Sequence, residues 1–334
     1  MTDREALIAE FLTAAGWGDA DRGLLAGDAS FRRYDRLHRG GEQAVLMDAP
    51  PPMEDVRPFI FIDGLLRGMG LSAPEILAED VEAGLLLLED LGDNTYTRVL
   101  ANGGDEAALY ELAVDLLIAL HRHFDGNDAL PPYDDDAFLT EATLLTDWYM
   151  PAINDRETPS ALRAEYCELW REAFAKARLM PETLVLRDYH VDNMIWLPNR
   201  PGAGACGLLD FQDARLGPVT YDLVSLLEDA RRDVPPALTA KLLDRYLDAF
   251  PALDREAFAA SYAIMGAQRS AKILGIFTRL DRRDGKPGYL GHIQRVWRWL
   301  EGDLAHPALA GLHGWFERAL PRETRVTPEP GTRT

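Results

Sequence analysis

The chain is 334 residues long, room for two domains at the usual ~100–200 residues each. Hydrophobic residues make up 47% and charged residues 27%, the balance of a folded protein with a sizeable core. With 35 Lys and Arg against 55 Asp and Glu, the formal charge is −20, which excludes broad binding to a nucleic-acid backbone and docking on anionic membranes; a phosphate ligand would need local cations or a metal. Cys167 and Cys206 lie in no CxxC pair and read as thiols of a reducing compartment. The acidic start MTDREALIAEF lacks the basic end of a signal peptide, and no run approaches ~20 apolar residues, so the expected location is cytoplasmic.

Along the chain, Glu5 to Trp17 has the three-to-four spacing of an amphipathic helix through Leu7, Ile8, Phe11 and Leu12. Gly27–Ser30 reads as a loop, Phe31–Leu37 and Gln43–Met47 as strands joined at Gly40-Gly41, and Val56–Met69 as a helix. Short strands are expected at Glu75–Leu77 and Leu85–Glu89. From Tyr96 the pattern is mostly helical, over Asp105–His123, Phe138–Trp148 and Pro159–Ala177. Helicity breaks at Leu184–Leu186, then at Met194–Leu197 and Gly207–Phe211, which a turn-rich segment joins into a hairpin. Helices return after Asp222. The expected class is α+β, a bilobal chain with a small antiparallel-sheet lobe over residues 1–92 and a larger, mostly helical lobe over 93–325. Residues 326–334 read as a disordered tail.

The informative stretch is Leu184-Val185-Leu186-Arg187-Asp188-Tyr189-His190-Val191-Asp192-Asn193, followed seventeen residues after Asn193 by Asp210-Phe211-Gln212-Asp213. A strand, a loop and a hairpin thus deliver an Asp, an Asn and a second Asp. Phosphoryl transfer needs such a set: a carboxylate to orient and deprotonate an acceptor hydroxyl, and hard oxygens to hold Mg²⁺ against nucleotide phosphates. Protein kinases space their catalytic Asp and Asn as Asp188 and Asn193 are spaced, then place Asp-Phe-Gly on the following hairpin.

On these residues the chain resembles the aminoglycoside phosphotransferase and choline kinase-like superfamily, whose fold is that of the protein kinases. More narrowly it resembles the bacterial kinases that phosphorylate the anomeric hydroxyl of N-acetylmuramate and N-acetylglucosamine in cell-wall recycling. The likeness extends to Gly27-Asp28-Ala29-Ser30-Phe31-Arg32-Arg33-Tyr34, Leu46-Met47-Asp48-Ala49-Pro50 and Leu88-Glu89-Asp90-Leu91-Gly92-Asp93. It implies ATP as co-substrate and Mg²⁺ as cofactor. Asp188 would be the base, Asn193 and Asp210 the metal ligands, Leu88, Glu89, Asp90 and Leu91 the adenine hinge, and Gly27, Asp28, Ala29, Ser30 and Phe31 the cover over the phosphates. His190 either fixes the catalytic loop, contacts substrate or is structural. Arg187 pairs with Asp188, with a phosphate or with solvent, and Asp222 is expected to cap a helix and brace the loop.

One departure stands out. The strand lysine of kinase-like folds is replaced by Met47, and no lysine occurs in the first 92 residues. Arg32 or Arg33 is the expected source of part of that charge, the alternative being an arginine-decorated edge strand. For the acceptor, Trp148 and Tyr149 are candidate stacking residues, core packing being the alternative, and Gln268, Arg269 and Arg279 are polar candidates on a later helix. The sugar 1-phosphate would feed a nucleotidyltransferase. The alternatives are an aminoglycoside, choline-like or other small hydroxyl acceptor, and a nucleotide-binding pseudokinase.

Overall fold

The computed structural model describes residues 3–27 and 31–331. Helix α1 (Asp3–Ala14) turns Ile8, Phe11 and Leu12 inward. Strands β1 (Asp21–Gly27), β2 (Arg33–Arg39) and β3 (Glu42–Asp48) precede helix α2 (Arg57–Gly68), and β4 (Ile76–Asp80) and β5 (Leu85–Glu89) follow it. The five strands form one antiparallel sheet in the order β1-β2-β3-β5-β4. Gly40 and Gly41, with φ of 54° and 93°, make the two-residue turn between β2 and β3 that a right-twisted hairpin favours. Leu37, Ala44, Leu46, Leu85 and Leu87 pack with Ile8, Phe11, Leu12 and Trp17, so α1 covers one face of the sheet.

Next come α3 (Tyr96–Ala101), α4 (Glu106–His123), α5 (Asp135–Ala142), α6 (Met150–Asn154) and α7 (Ser160–Ala177). A π-helical turn, Leu145–Tyr149, leads into α6. Strand β6 (Glu182–Val185) precedes the hairpin β7 (Met194–Trp196) and β8 (Cys206–Leu208), and β9 (Arg215–Pro218) pairs antiparallel with β6. The chain ends with α8 (Tyr221–Leu227), α9 (Pro236–Ala249), α10 (Arg255–Asp284), α11 (Ile293–Leu304) and α12 (Ala310–Ala319). No helix among the described residues is long and apolar enough to cross a membrane.

The chain forms two compact units, Met1–His123 with Val191–Ala214 and Phe124–His190 with Arg215–Thr334. This divides the sequence differently from the expected cut after residue 92. The hairpin belongs with the sheet unit because it is bonded there: Leu208 N–H donates to Ser72 O at 2.8 Å, and Trp196 N–H to Asn94 O at 2.8 Å. In the second unit α10, thirty residues long, is the central helix. Asp254 caps its start with bonds to the N–H groups of Glu256 and Ala257, and Gly285 at φ 62° ends it.

Two expectations need correction. β1 is a strand that the sequence hides, because Gly23, Leu24 and Leu25 are all exposed and an edge strand of that kind shows no alternation. The helix expected over Phe138–Trp148 stops at Ala142 and resumes as the π-helical turn. In the described part of the tail, Val326 O accepts from Tyr149 Oη at 2.7 Å, and Gly331 N–H donates to Asp281 Oδ2 at 2.9 Å.

Candidate active site

The sheet unit holds a cavity of about 390 Å³. Its walls include Tyr34, Val45 and Phe59 from the sheet and α2, the segment Leu88-Glu89-Asp90-Leu91, and Asn193 and Asp210. A cavity walled by apolar side chains together with the oxygen-bearing Asn193 and Asp210 suits a nucleotide. Leu209 N–H donates to Asn193 O at 2.9 Å, which fastens the two segments together. Asn193 Nδ2 then donates to Asp210 Oδ2 at 3.3 Å, and Gln212 Nε2 to Asp210 Oδ1 at 2.7 Å. Asp210 sits at φ 58°, a conformation that a non-glycine residue adopts only when its surroundings impose it. The next side chain, Phe211, is anchored against Phe59 with ring centroids 4.8 Å apart.

One carboxylate and one amide oxygen match the donor chemistry of Mg²⁺, which takes one or two protein oxygens and completes its shell with water and phosphate. Among the described residues no cluster of three His, Cys, Asp or Glu could hold a metal alone. The pair therefore suits an ion that arrives with its nucleotide.

Around the same cavity the arginines are engaged. Arg32 Nε lies 3.0 Å from Glu54 Oε2, Arg33 Nε 2.9 Å from Asp35 Oδ1, and Arg36 Nε 2.6 Å from Asp90 Oδ2. Met47 is buried on β3, where the kinase lysine would stand. Gly27 is the last residue of β1 and Phe31 is exposed. Asp28, Ala29 and Ser30 lie outside the described residues.

The second unit carries Asp188, just after β6. Asp222 in α8 accepts the backbone N–H of Leu186 at 2.7 Å and of Arg187 at 2.9 Å, and Ser225 Oγ donates to Arg187 O at 3.1 Å. Asp222 therefore braces the loop; it does not cap α8, whose N-cap position is Thr220. These bonds hold Arg187 at φ 71°. Its side chain turns to Glu141, Nη2 to Oε1 at 2.6 Å, and lies over the Tyr133 ring. Glu141 is a hub: it also receives Lys272 Nζ at 3.0 Å, Tyr133 Oη at 2.5 Å and Gln268 Nε2 at 3.2 Å.

The electrostatics follow from this packing. Burial alone would raise the Asp188 carboxyl, but Lys272, Arg269, His190 and Arg187 outweigh it and hold the pKa at about 2. Burial likewise opposes ionisation of Glu141, and Lys272 and Arg187 hold it at about 2. Asp222 goes the other way, pushed up to about 7 by burial against the two backbone N–H groups that it accepts. His190 is buried, and burial lowers its pKa.

The acceptor expectations fare unevenly. Tyr149 is fully buried, with its hydroxyl bonded to Val326 O and Trp297 Nε1, so its ring belongs to the core. Trp148 is half-buried. Gln268 is tied to Glu141 and to Phe138 O, and Arg269 is buried close enough to act on Asp188. Arg279 is ten residues farther along α10, about 15 Å, and faces Arg283 and Asp284 instead. Glu141 and Lys272 escaped the sequence reading. A lysine inside the apolar run Ala271-Lys272-Ile273-Leu274 was the available signal, since such a residue is buried only with a partner.

A model of the phosphotransferase enzyme family matches residues 23–259. The chain belongs to this family. The N-acetylmuramate/N-acetylglucosamine kinase of Caulobacter vibrioides is 44% identical, over 97% of this chain and 99% of its own. The kinase of the same description from Pseudomonas aeruginosa is 39% identical, over 95% of each. Among solved structures, a choline/ethanolamine kinase family protein from Mesorhizobium loti superposes with a TM-score of 0.61 at 15% identity, covering 94% of this chain and 99% of that one. A choline kinase from Streptococcus pneumoniae gives 0.60 at 14% identity, covering 91% and 100%. At such low identity the two structures speak for the fold, which is the kinase-like one.

Proposed function

We propose that the protein is an ATP- and Mg²⁺-dependent kinase that phosphorylates the anomeric hydroxyl of N-acetylmuramate and N-acetylglucosamine, yielding the sugar 1-phosphate. The observation that carries this reading is the near full-length likeness, at 44% and 39% identity, to kinases of that description. The residues supply the chemistry. Asn193 and Asp210 would hold Mg²⁺, which, when bound, neutralises phosphate charge. Leu88 to Leu91 would receive the adenine. Asp188 would accept a hydrogen bond from the acceptor hydroxyl; as the new P–O bond forms and the bond to the ADP oxygen breaks, the hydroxyl proton passes to its carboxylate.

A carboxylate held at about 2 is a weak base, so its main work is orientation. That favours an anomeric hydroxyl, which is more acidic than an ordinary alcohol and gives up its proton with less help. Arg187, Asp222 and Glu141 act through the loop rather than on substrate. In a cell the reaction would run in the cytoplasm and return cell-wall amino sugars to a nucleotidyltransferase.

The test is ADP release across a panel of free amino sugars, choline-like alcohols and aminoglycosides. The two N-acetylated sugars are expected to give the highest kcat/KM, and only with Mg²⁺ present. Turnover confined to amino alcohols or aminoglycosides would overturn the reading.

A further inference from the structure

Helix α10 presents Gln268, Arg269 and Lys272 within little more than one turn, and two of the three have partners. Gln268 Nε2 donates to Phe138 O and Glu141 Oε2, each at 3.2 Å, and Lys272 Nζ sits 3.0 Å from Glu141 Oε1. Arg269 differs. Its residue is 4% exposed, yet among the described residues its guanidinium has no carboxylate within ion-pair distance and forms no hydrogen bond. None of its nitrogens is among the side-chain atoms that are both sealed from solvent and without a partner, so some solvent contact remains at them. Arg187 and Arg325, also withdrawn from solvent, have counter-ions: Arg187 pairs with Glu141 at 2.6 Å, Arg325 with Glu301 at 2.7 Å and Glu317 at 2.5 Å. A guanidinium withdrawn from water without a counter-ion is costly, and an anion completes it.

The position of that charge narrows the anion. Arg269 is three residues, hence one helical face, from Lys272, which Glu141 links to Arg187, the residue before Asp188. Its charge acts on Asp188, Asp222 and His190. The Arg269 guanidinium is therefore coupled electrostatically to the carboxylate assigned to the acceptor hydroxyl. The two candidate sugars share every group except one, the lactyl ether on O3 of N-acetylmuramate, which ends in a carboxylate.

Resting on the amino-sugar reading above, we infer that Arg269 is a specificity-determining residue that binds the lactyl carboxylate of N-acetylmuramate. A planar fork of N–H donors matches a carboxylate's two oxygens. With N-acetylglucosamine the fork stays with water. A guanidinium that served the transferring phosphoryl group instead would act on both sugars alike.

The experiment compares kcat/KM for the two sugars in the wild-type protein, Arg269→Lys and Arg269→Met. The preference for N-acetylmuramate over N-acetylglucosamine is expected to fall on the order of tenfold to a hundredfold in Arg269→Met, chiefly through KM for N-acetylmuramate, with Arg269→Lys between. Using the ratio cancels any effect on Asp188 that both sugars feel. A second arm needs no variant: the methyl ester of N-acetylmuramate should lose a similar factor with the wild-type enzyme. A ratio unchanged in both variants, including equal losses on the two sugars, or an ester used as well as the acid, overturns the inference. A wild-type protein inactive on both sugars refutes the amino-sugar reading itself.

Discussion

Asp188 and Asp210 illustrate how a few side chains acquire their roles from fixed backbone. Asp210 stands at φ 58°, with both carboxylate oxygens engaged by Asn193 and Gln212. Arg187, at φ 71°, is locked by Asp222 and Ser225, which fixes where Asp188 begins. Replacing Asp188 by Asn should lower kcat by roughly 10²–10⁴, while nucleotide affinity measured by calorimetry persists because the cavity in the sheet unit is untouched; an active Asp188→Asn enzyme would contradict its role. Gln212→Ala should raise the Mg²⁺ concentration for half-maximal activity roughly tenfold, whereas an unchanged Mg²⁺ dependence would show that the bond to Asp210 does not tune the site. At this scale the segment that carries Asp188, Asn193 and Asp210 stands out in the sequence because residue chemistry and spacing coincide in a short stretch. Glu141 and Lys272 do not, because their pairing joins α5 to α10 across 131 positions and leaves no local pattern. Tyr149 misled for a related reason: an aromatic at a helix surface and one in the core look alike until the tail that covers it is seen.

Helix α10 depends on a small residue at a close approach of backbone. A Cβ on Gly275 would lie 2.2 Å from the backbone carbon of Leu144, so the helix and the approach to the π-helical turn can pack only without a side chain there. Gly275→Ala should destabilise the protein by about 1–3 kcal/mol through overpacking. In α2, Gly64 has nothing within 4 Å of a built Cβ, and Gly64→Ala should instead stabilise by about 0.5–1 kcal/mol through helix propensity. Denaturant melts of the two variants check both signs; equal effects would mean that the close approach carries no strain. Elements with strong periodicity, such as α4, α7 and the β2–β3 hairpin, were readable in the sequence. β1 and β9 were not: one is an exposed edge, and the other is four residues long and pairs with β6 across the whole catalytic segment.

Over the whole molecule, buried carboxyls set the pH response. Asp222 is pushed up to about 7 and Asp63 up to about 6, each chiefly by burial. Both keep a proton in the fold that the unfolded chain loses near pH 4, so folding becomes less favourable as pH rises from about 4 to about 7. Glu141 and Asp188, held at about 2, act oppositely: their contribution is complete above about pH 4 and is lost as pH falls toward 2. The net charge of −20 adds repulsion as pH rises. The melting temperature should accordingly be higher at pH 6 than at pH 8, with the difference reduced in Asp222→Asn; a higher value at pH 8 would contradict these assignments.

The proposed role of Asp188 and of the Asn193–Asp210 pair is transfer of a phosphoryl group to an anomeric oxygen. Phosphorus–proton NMR of the product formed from ATP and N-acetylmuramate tests it most directly. The anomeric proton is expected to couple to phosphorus, locating the new phosphate on O1. A phosphate on O4 or O6, with the anomeric proton uncoupled, would contradict it.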